Sequence, residues 1–457
     1  MKSTGAAPDL LHTLDTAPLN RHHVKMLLLA AGGTFLDGFD ISIMSFAILL
    51  IIPQFHPTAF ETGLIGAAVV IGSGAGSVVA GYLSDKIGRR LLFLLDFVLF
   101  IVFAGLSALS QNMGELILLR FFVGVGIGID YPVSTALLSE IAPTKRRGLL
   151  LGLWINGFNV GAMVSLAVGA LLYHVGPDAW RWMLAMEIIP AVLVLIGRRG
   201  VPESTRWLMS RGRYTEAETG LAKLGLSGYN PDNLSVEPLT NVTTNRQPSY
   251  RTLLGGKYRR AAVFMALYFF FFQFAFFGFN VFGPYMLKGL HLHGVAATAM
   301  AMIGFWIIYI AGNALFAWKG DQIGRRRFSL WGWLGMTVAM IVIFGLFPLP
   351  IAIFLLFFAL YFFTAGMGPG TIHMVYSPEL FPTFIRSTGE GWKQGWGKIG
   401  AIIGLLFIPM LAAISPRYPI LMGAVACVIG VIVTWTLAPE TKGQSLEALT
   451  EPNVSDL

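Results

Sequence analysis

A few charged side chains interrupt the long apolar stretches of this chain, and these are the residues with the clearest potential for chemistry. Asp37 and Asp40 lie in the segment LDGFDISIMSF, one helical turn apart and therefore on the same helix face. Arg120 precedes Asp130 by ten residues, which is about 15 Å along a helix. An ionisable side chain at the centre of a bilayer costs at least about 2.5–3.5 kcal/mol. Such residues are usually paired or line a polar cavity, so we expect these four to have functional roles.

Two lysines lie in a later apolar stretch with the sequence GEGWKQGWGKIGAIIG. Lys393 and Lys398 are five residues apart, so they do not share a helix face. We expect Lys393 to reach the membrane surface or to pair with Glu390. Lys398 lies too deep for its ammonium to reach the surface easily, which predicts an anionic substrate or Asp130 as its partner.

The elements that would position these residues are membrane-spanning helices. The chain has 457 residues, of which 55% are hydrophobic and 12% charged, whereas soluble domains carry about 25% charged residues. An apolar stretch of about 20 residues crosses ~30 Å of hydrocarbon as a helix. We therefore predict an all-α membrane protein with twelve transmembrane helices. They are expected at roughly 24–53, 60–84, 91–109, 114–141, 148–173, 181–198, 260–287, 295–318, 328–346, 350–377, 386–413 and 418–438.

The twelve stretches fall into two sets of six, separated by a polar segment. We predict an N-terminal six-helix bundle at 24–198, a linker at 199–259 and a C-terminal six-helix bundle at 260–438. Polar termini at 1–23 and 439–457 flank the bundles, and short surface helices are expected in the linker near TRWLMSRGRYTEAE. The first 23 residues have no apolar signal-peptide segment, so the first helix is expected to act as its own insertion signal.

The net charge of +8 is distributed unevenly between the two sides of the membrane. Of the 32 lysines and arginines, 26 lie in the termini and loops on one side, three lie on the other side, and three lie within predicted helices. This positive-inside asymmetry predicts that both termini are cytoplasmic. We expect a multi-pass protein of the plasma membrane, or of the inner membrane if bacterial. The lipid bilayer, and not nucleic acid, explains the basic charge.

No pattern in the chain is typical of an enzyme. The single cysteine, Cys427, lies in an apolar stretch, and no metal-ligand cluster or nucleophile triad is evident. We therefore expect no cofactor, no metal and no catalytic activity. The glycines at 124 and 128 lie inside an apolar helix and predict close helix packing, as do Gly72 and Gly76.

Three signatures occur twice in the same order, at a nearly constant offset of about 236–239 residues. The repeated pairs are GYLSDKIGRR at 81–90 with AWKGDQIGRR at 317–326, SEIAPTKRR at 139–147 with PELFPTFIR at 378–386, and PES at 202–204 with PET at 439–441. They indicate a duplicated half. Because each half is mostly apolar, this duplication is typical of transporters that enclose a site between two parallel repeats.

These motifs resemble those of the major facilitator superfamily, and more narrowly its sugar-porter-like and metabolite:proton symporter branches. The resemblance covers essentially the whole chain and includes Arg120, the glycines at 124, 126 and 128, and PETKG at 439–443. It implies the major facilitator fold, in which two six-helix bundles rock against each other and expose a central site to each side of the membrane in turn.

The duplicated loop motifs are predicted to form a latch on the cytoplasmic side. Gly88 permits a tight turn, Arg89 can pair with an acid such as Glu140, and Asp85 can lie against a helix N-terminus. The alternative is that these arginines only set the topology. The predicted gating residues are Asp85, Arg89, Glu140, Arg147, Asp321, Arg325, Glu379 and Arg386.

Resemblance to proton-coupled sugar porters implies a proton switch made of Asp40 and Arg120. A carboxylate beside a guanidinium stays charged, and one that loses this partner in an apolar interior takes up a proton. A movement that makes or breaks the pair would therefore couple protonation to conformation. The alternative is a permanent ion pair between two helices. Asp37 has three open roles, which are to assist Asp40, to contact substrate, or to face water near the outer mouth.

Two further segments resemble phosphate:proton symporters. Asp130 and Tyr131 lie in GIGIDYPVSTALLSE, which is similar to the GGDYP stretch of those proteins, and the surroundings of Lys398 are also similar. We assign Asp130 to substrate binding or to a second proton site, with a buried structural pair as the alternative. Tyr131 is expected to act with it.

The seventh predicted helix departs from both patterns. Phe269, Gln273 and Phe277 replace the Trp, Asp and Tyr of phosphate symporters. Phe274 and Ala275 replace the paired glutamines of sugar porters. The DGFD of the first helix is closest to aromatic-acid and related organic-anion symporters.

We therefore predict a secondary active transporter that carries a small polar metabolite together with a proton by alternating access. The favoured substrate is an organic anion or a sugar-acid-like solute, and phosphate:proton or sugar:proton symport is the alternative. A non-transporting nutrient sensor on the same fold is the competing class. We expect a monomer. The predicted substrate-binding residues are Asp130, Tyr131, Lys398, Gln273, Asn280, Asn156, Asn159 and Trp396.

Overall fold

The computed structural model describes residues 14–173, 175–225, 249–289, 295–415 and 417–443. The regular structure within these ranges is helical, and the helices are numbered here in chain order. They are α1 Arg21–Phe55, α2 Ala59–Ile87, α3 Arg89–Leu109, α4 Met113–Ile141, α5 Arg147–Trp154, α6 Asn156–Leu172, α7 Ala179–Ala185, α8 Ile188–Arg198, α9 Thr205–Ser210, α10 Tyr214–Lys223, α11 Tyr250–Leu254, α12 Arg259–Gly289, α13 Val295–Ile323, α14 Arg325–Leu346, α15 Ile351–Met367, α16 Pro369–Leu380, α17 Arg386–Ile414 and α18 Arg417–Leu437.

Twelve spans are built from these helices, at the positions of the twelve predicted stretches. Three of the spans consist of two helices each, namely α5 with α6, α7 with α8, and α15 with α16. Among the described residues, ten helical segments are long and apolar enough to cross a membrane. The helices α13 and α17 complete the twelve, and α17 is less apolar because it carries Glu390, Lys393 and Lys398.

Each of the three spans that consist of two helices is interrupted at a defined position. Pro369 begins α16 directly after Gly368, because proline has no N–H with which to continue α15. The break between α5 and α6 lies at Ile155, directly before Asn156. The break between α7 and α8 includes Glu187. Two polar side chains of the membrane region therefore lie where helices are interrupted.

Tight turns precede α3 and α14. Gly88 and Gly324 have φ angles of 109° and 113°, which glycine adopts without the penalty of a Cβ. The first backbone N–H groups of the two helices donate to Glu203 at 2.9 Å and to Glu440 at 3.0 Å. These carboxylates satisfy donors that have no partner within the helix. The turn predicted at Gly88 is confirmed, and its counterpart in the second half has the same form.

Close contact between α2 and α4 depends on glycine. A Cβ added to Gly124 or Gly128 would lie 2.2 Å from the carbonyl oxygen of Val69 or Ser73. A Cβ at Gly72 would lie 2.0 Å from the carbonyl oxygen of Phe121. Because real side chains cannot occupy these positions, the close packing predicted for the glycines is confirmed.

Contacts between the two halves involve a few helices. The helix α2 of the first half packs against α17 of the second, and α5 packs against α13. On the side that carries residues 14–20 and 438–443, called here the terminal side, α9 lies beneath the first half. The prediction of surface helices in the linker is only partly correct, because Trp207 and Leu208 of α9 are buried with Leu14. The linker residues 226–248 lie outside the described ranges.

Candidate functional site

A central cavity lies between the two halves. Helices α1, α4 and α6 line it from the first half, and α12, α13, α16 and α17 line it from the second. Its polar lining is Asp37, Tyr131, Asn159, Gln273, Tyr309, His373, Gln394 and Lys398, and its other aromatic lining is Phe158, Phe269, Phe272, Phe276, Phe277 and Trp306.

Charged groups from the two halves face each other across this cavity. Asp37 of α1 accepts a hydrogen bond of 2.5 Å from the hydroxyl of Tyr131. The ammonium of Lys398, on α17, lies 5.6 Å from the centre of the Tyr131 ring. Asp37 and Lys398 interact electrostatically, but no carboxylate among the described residues lies within salt-bridge distance of Lys398. The cavity therefore combines one acid and one base that are not in direct contact.

A buried ion pair connects α1 and α4 outside the cavity lining. The guanidinium of Arg120 lies 2.7 Å from the carboxylate of Asp40, and both side chains are almost fully buried. Glu187 is also completely buried and interacts electrostatically with both residues. Two acids therefore share the surroundings of one arginine.

Asp130 lies in a different network from the one predicted. It is 2.7 Å from Arg198 of α8, and Arg198 is also 2.7 Å from Asp96 of α3. The guanidinium lies over the ring of Phe93, 3.6 Å from its centre. Asp130 is not part of the central cavity lining. A direct substrate contact for Asp130 is therefore not supported, because its carboxylate is bonded inside the first half.

The other predicted substrate-binding residues divide into several groups. Tyr131, Lys398, Gln273 and Asn159 line the cavity. Asn156 does not, since its side-chain oxygen accepts a hydrogen bond of 2.9 Å from Asn313 in the opposite half.

Trp396 also lies outside the cavity lining. Its side chain is 38% exposed and contacts the rings of Phe270 and Trp392. The side chain of Asn280 lies outside the described residues.

The second lysine of α17 is neutralised locally. The ammonium of Lys393 is 2.6 Å from Glu390, the pairing that its position predicted. It also lies 3.1 Å from Nδ1 of His373, whose ring centre is 4.1 Å from that of Phe269, with the two rings tilted by 30°. Lys393 is therefore committed to its neighbours, while Lys398 faces the cavity.

A cluster called here the first latch joins the halves on the terminal side. Arg89 lies 2.8 Å from Asp85 and 3.2 Å from Glu140. Arg386 of α17 lies 2.7 Å from Glu140 of α4, so one carboxylate connects two arginines of different halves. Asp85 accepts a hydrogen bond of 2.7 Å from the backbone N–H of Thr388 in the first turn of α17. The predicted pairing of Arg89 and the predicted position of Asp85 at a helix N-terminus are both present.

The second latch is the corresponding cluster of the second half. Arg325 lies 2.7 Å from Asp321 and 3.0 Å from Glu379. Arg147 of α5 is 3.9 Å from Glu379. Asp321 accepts a hydrogen bond of 3.3 Å from the backbone N–H of Leu149. All eight predicted gating residues therefore lie in two clusters of related geometry.

Known proteins share this architecture over nearly the whole chain. The family described as "Sugar (and other) transporter" matches residues 25–452. The inner membrane metabolite transport protein YgcS of Escherichia coli K12 is 31% identical over 436 residues, which cover 95% of each chain. This chain belongs to the family of sugar and other transporters.

A second relative and a solved structure are also similar to this transporter over nearly its whole length. The niacin transporter NiaP of Acinetobacter baylyi is 28% identical over 454 residues, covering 96% of this chain and 99% of that one. The structure of the proton:xylose symporter XylE bound to 6-bromo-6-deoxy-D-glucose has a TM-score of 0.83 at 24% identity, and covers 94% of this chain and 98% of that one. The twelve-helix fold, the multi-pass membrane location and the membership of a transporter rather than an enzyme family follow.

Sequence reasoning missed several residues of this transporter that contribute to its charged networks. Glu187 and Asp96 are acids within predicted spans, so the cost of burying a charge was a signal that could have identified them. Arg198 is the last residue of a predicted span, a position from which an arginine can reach water, yet it is fully buried. Glu203 and Glu440 were recognised as repeated motif residues, but their role as helix caps depends on the folded turn.

Proposed function

We propose that this transporter is a proton-coupled symporter of a small organic anion. The observation that carries the proposal is Lys398, an ammonium that is 5% exposed and lines the central cavity without a described carboxylate in contact. A buried ammonium is costly unless a counter-charge accompanies it. A carboxylate supplied by the substrate would provide this counter-charge. Because Lys398 belongs to the second half, a substrate that bridges the halves can place its carboxylate against this ammonium.

The cavity walls favour an organic rather than an inorganic anion. Aromatic rings from both halves, including Phe158, Phe272 and Trp306, surround the space near Lys398. Rings of this kind bind flat apolar surfaces and give a fully hydrated ion no compensation for its lost water. The relative NiaP is named as a transporter of niacin, which is an aromatic carboxylate, and this supports the same class here.

The proposed driving proton is handled at Asp40, Arg120 and Glu187. Two buried acids beside one guanidinium carry one negative charge in excess when both are ionised, so a proton at this cluster is stabilised by charge balance. A relative movement of α1 and α4 would change the distance between Asp40 and Arg120, and with it the proton affinity. The two latches on the terminal side, which we propose is cytoplasmic, would separate when the cavity opens there.

Sugar:proton symport is the second candidate. Asn159, Gln273 and Gln394 supply amide groups to the cavity, and amides bind hydroxyl groups well. The name of XylE identifies a proton:xylose symporter of the same fold. Lys398 distinguishes the candidates, because a neutral sugar supplies no carboxylate to contact its ammonium.

Uptake into proteoliposomes tests the proposal. Labelled nicotinate, benzoate, gluconate, phosphate and xylose are offered with and without an acidic exterior. We expect one of the organic anions to accumulate only with the pH gradient. Lys398→Gln should abolish this uptake, Lys398→Arg should retain part of it, and Lys223→Gln, at an exposed linker position, should leave it unchanged. Accumulation of xylose that survives Lys398→Gln would favour the sugar candidate, and binding without any uptake would favour a sensor.

Asp40→Asn tests the proton assignment separately. The amide cannot carry the negative charge that responds to Arg120, so the variant should exchange substrate down its gradient but fail to concentrate it. Counterflow and gradient-driven uptake measured on the same vesicles separate these two activities. A variant that still concentrates substrate would rule out Asp40 as the coupling acid.

A further inference from the structure

Three buried charged groups in the described part of the membrane region have no oppositely charged group within 4.0 Å. They are Asp37, Glu187 and Lys398. The other buried bases within the described ranges each contact a carboxylate. Glu187 lies beside the pair formed by Asp40 and Arg120, but Asp37 and Lys398 face the central cavity from opposite halves. The charges that are not neutralised by the fold are therefore concentrated where the substrate would bind.

The two oxygens of Asp37 have different surroundings. Oδ2 accepts the hydrogen bond from the Tyr131 hydroxyl, whereas Oδ1 is buried without a hydrogen-bond partner among the described residues. A buried carboxylate oxygen without a donor is unfavourable when charged. Oδ1 is therefore the atom of Asp37 that gains most from binding a proton.

Charge counting shows when this proton is required. With Asp37 ionised and Lys398 protonated, the cavity is neutral. Adding one substrate carboxylate leaves one negative charge in excess in a space of low dielectric constant, which is strongly unfavourable. Adding one proton to Asp37 together with the carboxylate restores neutrality.

We propose that Asp37 binds one proton at Oδ1 for each monocarboxylate that binds to Lys398, so that substrate and proton enter the cavity as a neutral set. This inference rests on the proposed function and deepens it. The proton is transferred from hydronium in the water that enters the open cavity, so one O–H bond of hydronium breaks, leaving water, as the O–H bond of Asp37 forms. It is distinct from the proton handled at Asp40, which lies outside the cavity lining: the Asp37 proton accompanies substrate binding, whereas the Asp40 proton is needed for net transport, so Asp40→Asn keeps binding and exchange but not accumulation.

The other titratable groups near Asp37 are already in ion pairs or hydrogen bonds. Asp40, one turn along α1, is paired with Arg120, and Asp130 of α4 is paired with Arg198. The hydroxyl of Tyr131 on α4 donates a hydrogen bond to Asp37. Because this hydroxyl is neutral, it has no negative charge that a proton could neutralise. On α17 of the opposite half, Glu390 neutralises Lys393, so Lys398 alone supplies positive charge from that side.

The same features define the class of substrate. One uncompensated ammonium matches one carboxylate, and a dicarboxylate would bring a second charge without a partner. Phe269, Phe272 and Phe276 of α12 form successive ring contacts that lead away from His373, at 6.3 and 5.2 Å between centres. A flat unsaturated body attached to a single carboxylate fits this wall, so benzoate is a suitable probe and phthalate, with two carboxylates, is its matched control.

Binding and proton uptake measured on the same purified full-length protein test the proposal. Benzoate is titrated into weakly buffered detergent solution containing a pH-sensitive dye. We expect one proton taken up per benzoate bound, and an affinity that falls about tenfold per pH unit where Asp37 is ionised. In Asp37→Asn, benzoate should still bind, but without proton uptake and with little dependence on pH. In Asp40→Asn, the proton taken up with benzoate should remain.

Each other outcome has a definite meaning. Proton uptake that persists in Asp37→Asn would overturn the role of Asp37 while leaving the organic-anion function intact. Binding of xylose but of neither carboxylate would overturn both proposals. Phthalate that binds as tightly as benzoate would overturn the restriction to monocarboxylates. If Asp37→Asn is not monodisperse, Asp37→Glu provides a second variant, which should keep the uptake of one proton and shift the pH at which it occurs.

Discussion

The first and second latches arise from the same repeated motif, yet they hold the two halves together differently. Both place an arginine between two acids, and both cap the following helix with a glutamate from the third motif. In the first latch the contact across the halves, from Arg386 to Glu140, is 2.7 Å. In the second latch the corresponding contact, from Arg147 to Glu379, is 3.9 Å.

Asp85 and Asp321, the acids that accept hydrogen bonds from helix backbones of the opposite half, show the same difference. Asp85 is completely buried and accepts hydrogen bonds from the backbone of Ser387 and from both the backbone and the hydroxyl of Thr388. Asp321 is 18% exposed and bonds the opposite half through the single N–H of Leu149. A duplicated sequence therefore does not produce two equal gates.

A cause of the asymmetry lies outside the repeats. Arg147 is shared between Glu379 and Asp15, which lies 3.5 Å away in the segment before α1. Asp15 also bonds Arg206 at 2.9 Å and the hydroxyl of Thr144 at 2.6 Å. The N-terminal segment therefore draws Arg147 towards the first half. We infer that the second latch separates before the first when the terminal side opens.

The largest expected difference is between Glu140→Gln and Glu379→Gln. Loss of the Glu140 charge removes the short contact across the halves and should cost about 3–5 kcal/mol, as for other buried ion pairs that lose one partner. Glu379→Gln should cost less, because its contact with Arg147 is already 3.9 Å long and Arg147 keeps Asp15. The two costs are compared as free energies of unfolding in detergent. Equal costs would contradict the proposed asymmetry.

Asp85→Asn in the first latch should likewise destabilise the closed gate more than Asp321→Asn in the second. We expect Asp85→Asn to destabilise the closed gate by about 1.5–3 kcal/mol, because it weakens several charge-assisted hydrogen bonds at once. Transport should slow while substrate affinity is kept. Cys427 is buried, so thiol labelling of Ser387→Cys reports opening. Labelling that is unchanged in Asp85→Asn would count against the latch.

Two glycines at contacts between the halves provide a comparison that does not involve charge and for which we expect a smaller effect. A Cβ on Gly391 would lie 2.3 Å from the backbone oxygen of Ser77, whereas the nearest atom to a Cβ on Gly152 is 3.4 Å away on Ala317. Gly391→Ala should therefore separate α2 from α17 at a cost of about 1–3 kcal/mol. Gly152→Ala should stay within about 0.5 kcal/mol. The same labelling assay measures both, and a larger effect at Gly152 would contradict the prediction.

The smallest effect is expected for Asp15→Asn. Without the charge of Asp15, Arg147 should move closer to Glu379 and strengthen the second latch, by less than about 1 kcal/mol because Asp15 is partly exposed. Opening of the terminal side should then become slightly rarer in the labelling assay. More frequent opening would show that Asp15 supports the closed gate instead.

The fold was accessible from sequence because its signals are local. Apolar length predicts a span by itself, and Gly88 or Gly324 predicts a tight turn from its own neighbours. The candidate site was accessible only in part. The pairing of Asp40 with Arg120 was predicted by family resemblance. Asp130 was assigned to substrate binding or to a second proton site, with a buried pair as the alternative, because of its depth and its resemblance to phosphate symporters. Its contact with Arg198 depends on how the helices pack.

The amino-acid sequence by itself determined that the chain has twelve spans in two related halves, and which few charges enter the membrane. These properties follow from the cost of transferring each segment into hydrocarbon, which depends on that segment alone. Only the tertiary structure decided which charges meet. Contacts such as Arg386 with Glu140, separated by 246 positions, depend on how helices from different halves pack. That packing left Asp37 and Lys398 facing the cavity with no counter-charge from the described residues in contact with either, and the proposed function depends on this result.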